Sequence, residues 1–277
     1  MKLGFVIPTY NRSFNLELAL TGLQQQTYHK FSVAIWDDGS EDDGETTAVS
    51  QRFAVGMDIR YGWHKHAGYR VSLNRNRGVR LLDPDTTHIW FLDSDVVLNP
   101  NAVSHAVEHI VSASHVVIIG KYIWLPPMKV SVDDVRYRWD DFVACRLPLQ
   151  KVDYVQDIMN RDPRKETIWD CLQIRSEIRG ISLGGNLIVP MTWFQRTGGF
   201  DEKIEGQGQD CEFGYNLQAA GAQRIACAEI VGYHVAHYRD RKFLQDSVKE
   251  TIVYIHEKYP DVIFKEEAED EEQSSGS

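Results

Sequence analysis

The chain has 277 residues, 43% hydrophobic and 25% charged, with a formal net charge of -10. That length supports one large domain or two small ones around a substantial core. The acidic balance argues against nucleic acid and against an anionic membrane surface as the main partner, because both attract basic faces.

No stretch approaches the roughly 20 apolar residues of a membrane span, so no integral membrane segment is expected. The opening MKLGFVIPTYNR holds an apolar run too short for a secretory leader. Cys145, Cys171, Cys211 and Cys227 form no CxxC and no zinc-like spacing with histidine. They read as reduced thiols in a cytoplasmic protein.

Through residue 122, short β-branched and aromatic runs alternate with helical patterns. KLGFVIP, FSVAIW, DIRYGW, HIWFL and VVIIGKY read as strands. NLELALTGLQQQ, VSLNRNRGVRLL and NAVSHAVEHIVS read as helices between them. This rhythm predicts βαβ units and an α/β fold with a mainly parallel, Rossmann-like central sheet flanked by helices. Ligands then gather at the carboxyl ends of the strands, where Asp37, Asp38, Asp93 and Asp95 fall.

From Ile123 to about Ile181 the rhythm breaks into segments dense in Trp, Arg and Asp, read as a helical insertion that serves as a lid or as a packed appendage. NLIVP reads as a further strand, and MTWFQRTGGF and DCEFGYNLQAAG as helices with glycine stops. Lys242–Tyr259 reads as a C-terminal amphipathic helix. The tail EEAEDEEQSSGS is acidic and low in apolar content, which predicts disorder. The expected division is 1–122 and 123–259 as two halves of one domain, with 260–277 as tail.

On a strand, Asp93 and Asp95 would point the same way and Ser94 the opposite way. Two carboxylates at a strand mouth repel unless a cation joins them, and oxygen ligands of this kind suit Mn²⁺ or Mg²⁺. The plainer alternative is that Asp95 caps a turn and Asp93 accepts from backbone donors. WDDGSED repeats the pattern, with an Asx turn and Ser40 capping the next helix as its structural reading. His64 and His66 in WHKHAG lack enough neighbouring ligands for a metal site.

In this order, PTYNR, WDDGS, AGYRVSLNRNRG, FLDSD, LGGNLIVP, GGFDEKIEGQGQDCEFGYNL and YHVAHYRD make the chain resemble family 2 glycosyltransferases of the GT-A fold over roughly residues 1–240. The likeness is to chondroitin-polymerase-type modules, with a C-terminal part similar to galactosyltransferases. The resemblance implies that Pro8, Thr9, Tyr10 and Arg12 line a nucleotide site and that Asp38 accepts from uracil. Tyr69, Arg70, Asn76, Arg77, Asp93 and Ser94 would face the donor, a UDP-sugar. Gly184, Gly185, Asn186 and Gln209 would lie near the donor sugar and the acceptor, which would be a glycan, a glycolipid or a protein.

Asp95 would be the direct metal ligand for Mn²⁺ or Mg²⁺. For the accompanying histidine, VAHYR favours His237 and GYH favours His234. Asp210 matches the general base of inverting members, although Gln209 stands where many relatives have glutamate and their preceding tryptophan is missing. Independently of any family, a sugar hydroxyl must lose its proton as it attacks, and a positioned carboxylate serves. Asp210 follows a glycine-rich loop and opens a helix that Phe213 and Leu217 would anchor; the alternative is an ordinary helix N-cap.

A nucleotidyltransferase is the rival enzyme, but the glycine-rich, lysine-containing loop usual after its first strand is absent. A catalytically silent sugar-nucleotide binder on the same fold is the rival from another class. A dinucleotide-binding dehydrogenase fits poorly, because GQGQDCEFG lies far from the first strand.

Overall fold

The structure is a computed structural model that describes residues 1–149, 184–237 and 241–260, without the side chains of 241–245. Within that span β1 (Leu3–Thr9), β2 (Phe31–Asp37), β3 (Asp58–Trp63) and β4 (His88–Leu92) follow the expected runs. They pair in parallel as β3-β2-β1-β4. The sheet then changes character. β7 (Asn186–Pro190) runs antiparallel to both β4 and β6 (Val117–Trp124). β8 (Arg224–His234) lies parallel to β6, and the short β5 (Val96–Leu98) closes the edge antiparallel to β8. The parallel half is as the rhythm predicts; beyond β4 the sheet is mixed.

Alternation along the central strands sends side chains to opposite faces. Phe5, Ile7, Trp90 and Leu92 pack with α1 (Ser13–Gln24), α2 (Glu45–Ala54) and α4 (Ala102–Ser112). Val6 and Phe91 face α3 (Val71–Leu81), α7 (Met191–Thr197) and α8 (Gln209–Ala219), meeting Phe200, Phe213 and Leu217. A third apolar cluster joins Leu18 and Val97 to α5 (Val132–Tyr137) and α6 (Trp139–Val143). These two short helices begin the expected insertion; 150–183 lie outside the described residues, as does the tail from 261 onward.

The last helix, α9 (Arg241–Lys258), falls where its periodicity places it. Lys258 Nζ contacts Asp201 at 2.7 Å and the fully buried Glu212 at 2.8 Å. No helix among the described residues is long and apolar enough to cross a membrane.

A break in the ladder positions everything around β8. Gly120 pairs with Cys227, but its neighbour Lys121 pairs with Val231, so β8 bulges outward between them. The side chain of Asn186 plugs the gap. Its amide donates to Lys121 O (3.0 Å) and Ile230 O (3.1 Å), and its oxygen accepts from Trp90 Nε1 (2.9 Å). A Cβ on Gly120 would collide with this amide. Beyond the plug, β8 resumes with Val96 opposite His234.

Candidate active site

β4 stops at Leu92, and residues 93–95 turn rather than continue the strand. Val96 N donates back to Asp93 O at 3.1 Å, and Asp93 N donates to Gly185 O at 3.3 Å. Strand alternation therefore does not govern Asp93 and Asp95, and the expectation that they share one direction and one cation is corrected. Each has its own partners.

Asp95 joins both candidate histidines. Its Oδ2 lies 2.6 Å from His237 Nε2 and 3.5 Å from His234 Nε2. The β5–β8 pairing brings His234 to the turn, and Val235 N donates to Asp95 O at 2.9 Å. Trp124 packs on the His234 ring with centroids 4.1 Å apart. Burial alone would raise the Asp95 carboxyl, but the charge and hydrogen bond of His234 and the hydrogen bond of His237 hold it well below the usual range.

One potential ligand atom from each of Asp95, His234 and His237 lies within 4.8 Å of the others. Asp95 Oδ1 is buried without a hydrogen bond. An orphaned carboxylate oxygen beside two imidazoles is what a divalent ion would satisfy. The residues fit a metal. Two nitrogen donors suit Mn²⁺ better than Mg²⁺, which prefers an all-oxygen shell.

Asp93 turns the other way. Its Oδ1 accepts from Arg75 Nη2 at 2.9 Å. Gly185 makes room, since a Cβ there would meet Asp93 Oδ2 at 2.6 Å and Tyr122 at 2.9 Å. Arg75 was not singled out in the sequence. The available signal was a charge on the face of α3 that buries Ser72 and Asn76.

Asp210 stands close by. α8 starts at Gln209 with Gly208 (φ 90°) as its cap, so Asp210 lies inside the first turn and is not the N-cap. Its Oδ1 accepts from Cys211 N (3.0 Å) and its Oδ2 from Gly184 N (3.3 Å). Burial pushes its carboxyl above the ordinary value against the opposing charge of Arg75 and the Gly184 N–H, and Asp93 adds to the rise. Phe213 and Leu217 anchor this helix with fully buried side chains. Gln209 is 6% exposed, with its Oε1 buried and unbonded.

On the other side, Pro8 and Thr9 end β1, and the following loop is tied to the β2 loop. Asn11 N donates to Ser40 Oγ (2.8 Å), and Glu41 N donates to Asn11 Oδ1 (2.7 Å). The Asx turn exists, with Ser40 N bonded to Asp37 Oδ1 at 2.8 Å. However, Ser40 caps no helix, because α2 begins after Gly44.

Asp38 lies between His64 Nε2 (2.6 Å) and His66 Nδ1 (3.2 Å). Arg77 Nη1 donates to His64 Nδ1 at 2.5 Å, so His64 must keep its proton on Nε2, facing Asp38. Tyr10 stacks on His66 at 4.1 Å. Arg12 is half-buried beside this loop and Ser94 is buried in the 93–95 turn. Tyr69 OH accepts from Gln207 Nε2, and Arg70 pairs with Glu205 at 2.7 Å, so this loop reaches the one before Asp210.

Two expected sugar or donor contacts are spent on the fold. Asn186 is fully buried in the β8 plug and does not reach a cleft. Asn76 donates to Phe200 O and to Glu202 Oε1, both at 2.9 Å, and accepts from Phe200 N at 3.0 Å. Its amide shapes that loop and has no donor left for a ligand.

Residues 5–155 match the family model for glycosyl transferase family 2. The chain belongs to that family. This family 2 chain is 28% identical to an Escherichia coli chondroitin synthase over 246 residues, covering 84% of the chain but 34% of the synthase. A Pasteurella multocida hyaluronan synthase is also 28% identical, over 84% of the chain and 24% of its own length. The chain thus spans about a quarter to a third of these curated relatives.

Among solved structures, a Pyrobaculum calidifontis mannosyltransferase in complex with GDP-Man and Mn²⁺ aligns with TM-score 0.64 and 15% identity, over 92% of this chain and 63% of that one. The fold is the GT-A fold.

Proposed function

We propose that this chain is a glycosyltransferase module that moves a hexosyl or N-acetylhexosaminyl group from a UDP-sugar to an acceptor hydroxyl with inversion. Asp210 is the general base. The observation that carries this reading is geometric: the half-buried Asp210 carboxylate is held by Gly184 N, and the next residue, Gly185, accepts from Asp93 in the turn that presents Asp95 to His234 and His237. The named relatives are polymer synthases, and S. aureus TarS 1-349 in complex with UDP-GlcNAc shares the fold (TM-score 0.61, 16% identity, 87% of this chain and 60% of that chain).

Asp95, His234 and His237 would hold Mn²⁺, which when bound supplies positive charge to a departing diphosphate. Asp210 Oδ2 takes the proton of the acceptor hydroxyl as its oxygen bonds to the anomeric carbon. The anomeric C–O bond breaks, and its electron pair leaves on the diphosphate. The raised carboxyl makes a stronger base than an ordinary aspartate, which suits taking a proton from a sugar hydroxyl. Asp38, Tyr10 and Thr9 border the nucleoside, with His66 stacked against Tyr10. The first 122 residues serve the donor and the following half serves the acceptor.

The test is UDP release from a panel of UDP-sugars with Mn²⁺ and oligosaccharide acceptors. Acceptor-dependent release is expected; none with any pair means a silent binder. Asp210→Asn should lower turnover by roughly 10²–10⁴ while UDP still binds. Near-normal turnover in that variant removes Asp210 as the base.

A further inference from the structure

Arg75 is a nearly inaccessible cation, its side chain 3% exposed. Burying a guanidinium is costly unless its N–H groups and charge are answered. Only Nη2 is answered by a hydrogen bond, to Asp93; Nε and Nη1 are buried without a partner. The guanidinium lies over the Phe200 ring at 5.0 Å, which sets its plane.

The guanidinium lies against Gly184, where a Cβ would come within 2.6 Å of Nη1, 2.7 Å of Nη2 and 2.8 Å of Cζ. The N–H of that same glycine holds Asp210 Oδ2. The cation therefore touches the donor-side turn directly through Asp93 and the proposed base through Gly184.

We propose that Arg75 is a positioning residue for transfer: Nη2 fixes Asp93, and the guanidinium lies against Gly184, whose N–H holds Asp210, so that a single buried cation supports both sides of the reaction centre. The inference rests on the reading of Asp210 as base. Its electrostatic consequence is specific. The groups facing Asp210 are Arg75 from α3, Asp93 from the 93–95 turn and Cys211 from its own helix. Arg75 is the cation among them, and without it only the Gly184 and Cys211 N–H groups offset burial and Asp93 at Asp210.

The experiment compares Arg75→Met with Arg75→Lys, measuring turnover at saturating donor from pH 5 to 9. In parallel, the Asp210 carboxyl of the ligand-free protein is titrated by carbon NMR with labelled aspartate. Arg75→Met should move the acid limb and the carboxyl titration upward by about one pH unit or more and lower turnover at least about tenfold. Arg75→Lys keeps the charge and should restore most of the limb position while recovering only part of the rate, because it lacks the fork.

A uniform fall in rate with neither limb nor carboxyl titration moved makes Arg75 a packing residue and overturns the proposal. Should Arg75→Met not fold, Gly184→Ala displaces Nη1 and must shift the same titration upward; an unshifted titration there is equally fatal. The carboxyl titration needs no turnover, so failure of Asp210 as the base, read from Asp210→Asn, is separable from failure of Arg75.

Discussion

Asp95 Oδ2 and His237 Nε2 stand 2.6 Å apart although 142 positions separate them in the chain. The contact depends on β5 pairing with the last strand of the sheet, which also delivers His234 to the same carboxylate.

Removing this cluster should abolish metal-dependent nucleotide binding. Asp95→Ala, and separately His237→Ala, should weaken UDP affinity in Mn²⁺ by about tenfold or more, to the value the parent shows in chelator. Calorimetric titration with and without EDTA measures this. Unchanged affinity in both variants would remove the cluster as a metal site.

Asn186→Ala should destabilise the fold by about 2–4 kcal/mol, because it strands Trp90 Nε1, Lys121 O and Ile230 O in the interior. Urea unfolding measures the loss. Unaltered stability together with lost sugar discrimination would return Asn186 to the site.

Lys258 ties α9 to Asp201 and Glu212, and Lys258→Met should cost about 2 kcal/mol near pH 7, discounted for the partial exposure of the lysine. Although burial opposes it, the hydrogen bonds of Lys258 and Tyr254 lower the Asp201 carboxyl. Its contribution is full above an unfolded value near 4 and is lost as pH falls through the lower folded value. The gap between parent and variant, followed by thermal unfolding, should narrow below about pH 4. A gap that stays constant down to pH 2.5 would mean that the lysine acts through packing alone.

The parallel half of the fold was legible because β1, β2 and β4 are dominated by buried apolar residues, while the partly exposed β3 still registers through Ile59, Tyr61 and Trp63. β5 was too short to register. In β8, Ala226, Glu229 and Gly232 dilute the pattern and the bulge resets its period, so the strand carrying His234 was read only as a motif. Asp93 and Asp95 were correctly placed at the rim, yet alternation does not set their directions, because β4 ends with the apolar run at Leu92 and 93–95 form a turn. Asn186 was expected near the sugar because LGGN resembles a family motif; its duty in the fold exists only once a distant strand bulges. Arg75 was hidden among three basic or amide neighbours in LNRNRG, and only its burial separates it from Arg77.

The loop that leads to Asp210 is moulded from outside. Ser247 and Thr251 hydrogen-bond Gln207 and press on Gly206 and Gly208 from α9. During translation the proposed base would leave the ribosome some 40 residues before the helix that shapes its approach. A chain arrested in between would carry the carboxylate and the histidines yet stay inert, so reactivity would be withheld until synthesis has passed α9.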